Sequence, residues 1–144
     1  MLLGYSLRDE EGRAVERLSI QPGDDVRLTL YWRAESEVRD EYVVFCHLYD
    51  PESEEIVAQS DARPLQGTYP TNAWQAGEVI SDEIVLPLRD VPAGVYRLAI
   101  GMVEASTRER VEIVTSAGEA VPDGRLVLEE KVEAAGGRVE EISS

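Results

Sequence analysis

From residue 26 to residue 33 apolar and polar side chains take turns: Val26, Leu28, Leu30 and Trp32 alternate with Arg27, Thr29, Tyr31 and Arg33. A period of two belongs to a strand with one face in a core and the other in water. The spacing therefore predicts a strand with the first set inward. The same parity returns at Ile84, Leu86 and Leu88 within residues 80–88, and at Tyr96, Leu98, Ile100 and Met102. Residues 42–49 are apolar on both faces, the pattern of a strand inside a sheet and covered from two sides. Residues 2–7, 56–59, 110–114 and 125–132 complete the predicted strands. Turn-forming segments separate them: Gln21-Pro22-Gly23-Asp24-Asp25, Asp50-Pro51-Glu52-Ser53-Glu54-Glu55, Asp90-Val91-Pro92-Ala93-Gly94 and Val121-Pro122-Asp123-Gly124. Helical spacing is nearly absent.

About seven to nine short strands with no crossover helix describe an all-β fold, an immunoglobulin-like antiparallel β-sandwich, with a barrel as the alternative. An aspartate and a glycine shortly before the strand-opening Tyr96 resemble a tyrosine corner, in which the phenol bonds back to main chain, and this favours the sandwich. The expected core holds Leu28, Leu30, Trp32, Ile84, Leu86, Leu98 and Ile100. No repeat or change of composition divides the chain, so residues 1–134 read as one domain and residues 135–144 as a frayed tail.

The pattern stops between Asp61 and Gly77, where the long connection holds Tyr69 and Trp74. Loops of that length are uncommon without a reason. Exposed aromatic rings stack on the apolar faces of sugars while amides and carboxylates at the rim bond the hydroxyls. Asp61, Tyr69, Asn72, Trp74 and Gln75 supply such a set and form the candidate ligand-binding site. The plainer reading, which the residue types favour, is that Trp74 folds back to close the sandwich. Asp82 flanks the same loop, and an aspartate there more often caps a turn than catalyses.

The chain has 144 residues, 43% of them hydrophobic, enough to bury a core without disulfide or metal. Its 29 acidic and 14 basic residues leave a net charge of -15, which repels polyanions and excludes nucleic acid as a partner. A glycan partner is accordingly expected to be neutral or cationic. No apolar run reaches the roughly 20 residues of a membrane span, so direct membrane insertion is not expected. His47 is the one histidine and Cys46 the one cysteine; adjacent on a strand, they point to opposite faces and cannot form a nucleophilic pair. No G-x-S-x-G and no phosphate-binding glycine motif occurs. The acidic run at 50–55 lacks the spacing of a calcium loop. The sequence thus predicts no catalytic residue, no metal and no cofactor, and the chain reads as a non-enzyme.

One resemblance sharpens this. Pro22-Gly23-Asp24, Leu28-Thr29-Leu30-Tyr31-Trp32, Val44-Phe45-Cys46-His47-Leu48, Gln59-Ser60-Asp61, Gly67-Thr68-Tyr69-Pro70-Thr71 with Trp74, Gly77 to Asp82, Pro92-Ala93-Gly94-Val95-Tyr96 and Arg125-Leu126-Val127-Leu128 follow one another nearly end to end. Together they resemble the C-terminal β-sandwich accessory domain of Chloroflexi-like bacterial multi-pass membrane glycosyltransferases of the dolichyl-phosphate-mannose mannosyltransferase type. The resemblance implies a non-catalytic accessory domain outside the cytoplasm, tethered through a parent chain, whose partners are a glycan or the parent's membrane region. A purely structural interaction domain and a small stand-alone hydrolase are the alternatives.

Overall fold

Alternating strands resolve into two stacked sheets in the computed structural model, which describes residues 1–8, 17–21 and 23–135. The strands are β1 (Leu2–Arg8), β2 (Arg17–Ile20), β3 (Asp25–Arg33), β4 (Tyr42–Tyr49), β5 (Ile56–Ala62), β6 (Val79–Pro87), β7 (Gly94–Glu104) and β8 (Leu126–Ala134). One sheet has the order β1-β3-β6 and the other β2-β8-β7-β4-β5. The fold is an all-β sandwich, and the inward parity of β3 is as the alternation requires: Val26, Leu28, Leu30 and Trp32 are buried. Ile84 and Leu86 of β6 face Leu98 and Ile100 of β7, and Val44, Cys46 and Leu48 of β4 join them. Among the described residues no helix is long and apolar enough to cross a membrane.

Three features depart from the expected pattern. The first is β2, a four-residue strand that pairs parallel with β8, from Arg17 opposite Lys131 to Ile20 opposite Ala134. The five-stranded sheet is therefore not wholly antiparallel, and the N-terminal part of the chain supplies an edge strand to each sheet.

Second, residues 110–114 are not a strand but touch their neighbours through single bridges. The Val111 N–H donates to the Met102 carbonyl in the five-stranded sheet, whereas the Leu2 N–H of the other sheet donates to the Val114 carbonyl. A segment that crosses from one sheet to the other within three residues follows neither long enough to form a ladder. Third, β5 runs on to Ala62, because Phe45 and Val44 continue to pair with Asp61 and Ala62. The long connection therefore starts at Arg63 and contains two 3₁₀ turns, Pro64–Gly67 and Thr71–Ala73.

The tyrosine corner is present. Tyr96 is buried, its hydroxyl donates to the Pro92 carbonyl at 2.7 Å, and its ring lies against Gly94. Between β7 and β8 the register shifts after Arg97, and the Arg97 guanidinium donates through Nε and Nη2 to the Leu128 carbonyl, at 3.2 and 2.7 Å. Pro22 of the first predicted turn and residues 136–144 of the expected tail lie outside the described residues. The turn's flanks are seen, with the Gln21 N–H donating to the Asp24 carboxylate at 2.8 Å.

Candidate functional site

The connection after β5 is held by its own polar groups. Trp74 is 5% exposed, and its indole N–H donates to the Tyr69 carbonyl at 3.1 Å. The Tyr69 hydroxyl donates to Glu78 Oε1 at 2.6 Å, and the Gln75 N–H donates to the same oxygen at 2.9 Å. That shared bond pushes the Tyr69 phenol up and the Glu78 carboxyl down from their ordinary values. Thr71, fully buried, ties the loop to the β4 entry: its hydroxyl donates to the Asp40 carbonyl and accepts the Tyr42 N–H.

Asp82 is buried in the interior-facing row of β6, where its carboxylate accepts the Leu65 N–H at 2.9 Å. Leu65 and Gln66 both sit at left-handed φ, 53° and 56°, a conformation that costs a residue with a side chain free energy unless its surroundings hold it. Asp82 is thus a clamp on a strained turn. Burial raises its carboxyl above the ordinary value, and the Leu65 bond partly opposes the rise.

The five residues expected to form one sugar-stacking surface are therefore not assembled as one. Trp74 points inward and walls a cleft of about 230 Å³ at the sandwich end together with Trp32, Tyr42 and Met102. Tyr69 spends its hydroxyl on Glu78, while Asn72 and Gln75 stand exposed. Asp61 belongs elsewhere, to the outer face of the five-stranded sheet, with its carboxylate 4.0 Å from His47 Nε2. Trp74 closing the sandwich is the reading that fits its burial.

That outer face carries the denser chemistry. Phe45, His47 and Tyr49 alternate along β4 on the side opposite Val44, Cys46 and Leu48. The Phe45 and His47 ring centroids are 4.9 Å apart. Arg110 lies over the Phe45 ring at 5.7 Å and Arg125 over the Tyr49 ring at 4.4 Å. The segment between β7 and β8 reaches this position because Gly101, opposite Phe45, has no side chain. A Cβ there would stand 2.4 Å from both the Phe45 ring and the Gly124 carbonyl oxygen. The turn Pro122–Gly124 thus rests directly on the sheet, with Gly124 at φ 62° and Arg110 donating to the Asp123 carbonyl at 3.3 Å.

The electrostatics of the face centre on His47, whose side chain is half-buried. Its pKa is lowered, first by burial and then by the nearby guanidinium groups of Arg125 and Arg110, with Asp61 opposing. Cys46 lies on the opposite side of β4, fully buried, its thiol pushed up to about 12 by burial. Asp50, the first of the acidic run, uses its carboxylate to accept the Glu52 N–H at 2.8 Å, as a hairpin tip does.

No protein-family model matches the chain, and no curated protein matches it. Among solved structures, the crystal structure of the C-terminal domain of Wzt is similar, with a TM-score of 0.60 at 9% identity, over 100% of this chain and 82% of that one. At that identity the likeness is one of fold. It joins this chain to a C-terminal β-sandwich domain, and that neighbour is not a membrane mannosyltransferase.

Proposed function

We propose that this chain is a non-catalytic accessory domain that contacts carbohydrate through the outer face of its five-stranded sheet. In this reading it is carried outside the cytoplasm by a membrane glycosyltransferase-like parent. The observation that carries the reading is the grouping of His47, Asp61, Arg110 and Arg125 around two aromatic rings of β4. Planar polar groups fixed on a sheet present donors and acceptors in the geometry that vicinal hydroxyls require, without the ordering cost of a mobile loop. The fold shared with the C-terminal domain of Wzt supports an accessory role. Cys46 lies buried on the side of β4 opposite His47, so the one thiol of the chain does not pair with the one imidazole.

An NMR titration of the isotopically labelled chain with oligosaccharides tests this. Shifts are expected on β4, β5 and the residues around Arg110 and Arg125, with dissociation constants on the order of millimolar for so shallow a surface. Shifts confined to the loop at residues 69–75, or to the end cleft, would refute the location. Hydrolysis of a glycoside or ester panel, abolished by His47→Ala, would replace binding by catalysis.

A further inference from the structure

Even with 29 acidic residues in the chain, the fold does not bring a carboxylate to every arginine. Arg33 pairs with Glu35 at 2.9 Å and Arg63 with Glu41 at 2.8 Å. Arg97 is consumed by the Leu128 carbonyl. Arg110 and Arg125 are set apart by position: each lies over an aromatic ring, neither makes an ion pair with a described carboxylate, and Arg110 donates through Nη1 to the Asp123 carbonyl at 3.3 Å. A guanidinium held over a ring face by cation–π attraction keeps N–H donors that can fork onto an oxyanion wherever the protein has not already engaged them. Phe45 and Tyr49 are four residues apart on one strand, about 13 Å, with His47 midway. The two guanidinium groups therefore bracket the imidazole.

We infer that this face binds a saccharide through one anionic substituent, a carboxylate or a phosphate, held by Arg125 beside His47, with Arg110 adding attraction from the Phe45 end of the strand. The inference rests on the reading of the face as a carbohydrate-contact surface and names the chemistry of its ligand. Asp61 occupies the β5 side of His47, so the anion sits on the side of Arg110 and Arg125, where repulsion from Asp61 is least. The chain's net charge of -15 opposes this only weakly, because exposed charges beyond about 8–10 Å are screened at physiological salt. A long polyanion, which meets the whole acidic surface, remains excluded.

His47 makes the affinity depend on pH. The charged groups facing it are Asp61 from β5 and Arg110 and Arg125 from the segment before β8. Burial first, and the two arginines after it, disfavour the protonated imidazole when the site is empty, with Asp61 opposing. A bound anion offsets them and favours the protonated ring, so by linkage affinity rises as the pH falls through the histidine range.

Four probes decide the matter: methyl glucoside, methyl glucuronide, glucose 1-phosphate and inorganic phosphate, each titrated into the intact chain at low salt and followed by amide and His47 ring NMR signals. The two charged sugars are expected to bind about tenfold tighter than methyl glucoside, a difference of about 1.4 kcal/mol. Arg125→Gln and Arg110→Gln are each expected to lower that preference while leaving the remaining spectrum in place, and added sodium chloride to lower it in the parent. Equal binding of neutral and charged sugars overturns the anionic inference and leaves the carbohydrate reading standing. Inorganic phosphate binding as tightly as glucose 1-phosphate upholds the anion site and refutes the carbohydrate reading. No shift at the face with any probe refutes both.

Discussion

Replacing Gly101 by alanine tests how the sheet face is built. A Cβ at this position falls 2.4 Å from Phe45 Cζ and from the Gly124 carbonyl oxygen, and 2.5 Å from Phe45 Cε2. Relaxed carbon contacts lie at about 3.5–4.0 Å, so each neighbour must retreat by about 1 Å. Neither moves freely. Phe45 is 3% exposed, and the Gly124 turn is backed by Val111, whose carbonyl oxygen is 2.8 Å from where a Gly124 Cβ would stand. Overpacking costs about 1–3 kcal/mol, and two stiff neighbours place Gly101→Ala near 3. At about 2–4 °C per kcal/mol for a chain of this size, the thermal midpoint falls by about 6–12 °C. Circular dichroism melts of the parent, Gly101→Ala, Phe45→Leu and the double variant measure it. The double variant is expected to lose less than the two single losses together, because a shorter side chain at position 45 vacates the space the methyl needs. A single-variant midpoint within about 2 °C of the parent, or strict additivity in the cycle, would show that the turn does not rest on Gly101.

Tyr96→Phe removes the 2.7 Å bond to the Pro92 carbonyl and is expected to cost about 0.5–1.5 kcal/mol in urea unfolding; an unchanged free energy would refute the corner's contribution. Asp82→Asn keeps an acceptor for the Leu65 N–H but removes the ionisation. With the folded carboxyl raised above 3.8, the parent keeps its full stability below that value and loses part of it as the pH rises through the folded value. The midpoint of Asp82→Asn minus that of the parent is therefore expected to shrink on acidification from pH 7 to below 4, and a constant difference would count against the burial argument.

The sandwich was readable because strand parity is local: Val26 to Trp32 and Ile84 to Leu88 each state their inward face within a few residues. The strand β2 was missed because four residues carry too little alternation and its partner β8 is more than a hundred residues away. The Asp90 to Tyr96 corner was found from a short motif whose hydrogen bond spans four residues. The five residues expected to form one surface are dispersed for the opposite reason. Aromatic and amide groups at 69–75 are adjacent in sequence, yet Trp74 turns inward and Tyr69 bonds Glu78. The outer-face group draws on β4, β5 and two points of the segment before β8, and its one sequence signal was that residues 42–49 are apolar on both sides, which demanded a cover for Phe45 and Tyr49.

That cover also bears on how far net charge can describe a ligand. A total of -15 describes the potential felt at a distance, and from it a neutral or cationic glycan follows. Contact chemistry is decided within a Debye length, by which groups the fold leaves unpaired. Here the segment that shields Phe45 and Tyr49 does so with Arg110 and Arg125, whose guanidinium carbons lie over the rings at 5.7 and 4.4 Å. A ring-stacked arginine is held at a fixed point of the sheet, where a carboxylate partner must be positioned by the fold as well as be abundant. Asp61, a carboxylate of this face, lies 4.0 Å from His47 Nε2 and makes no ion pair with either arginine. The packing requirement of two aromatic residues thus leaves two cations on one face of an acidic protein, and the proposed anionic ligand rests on that placement.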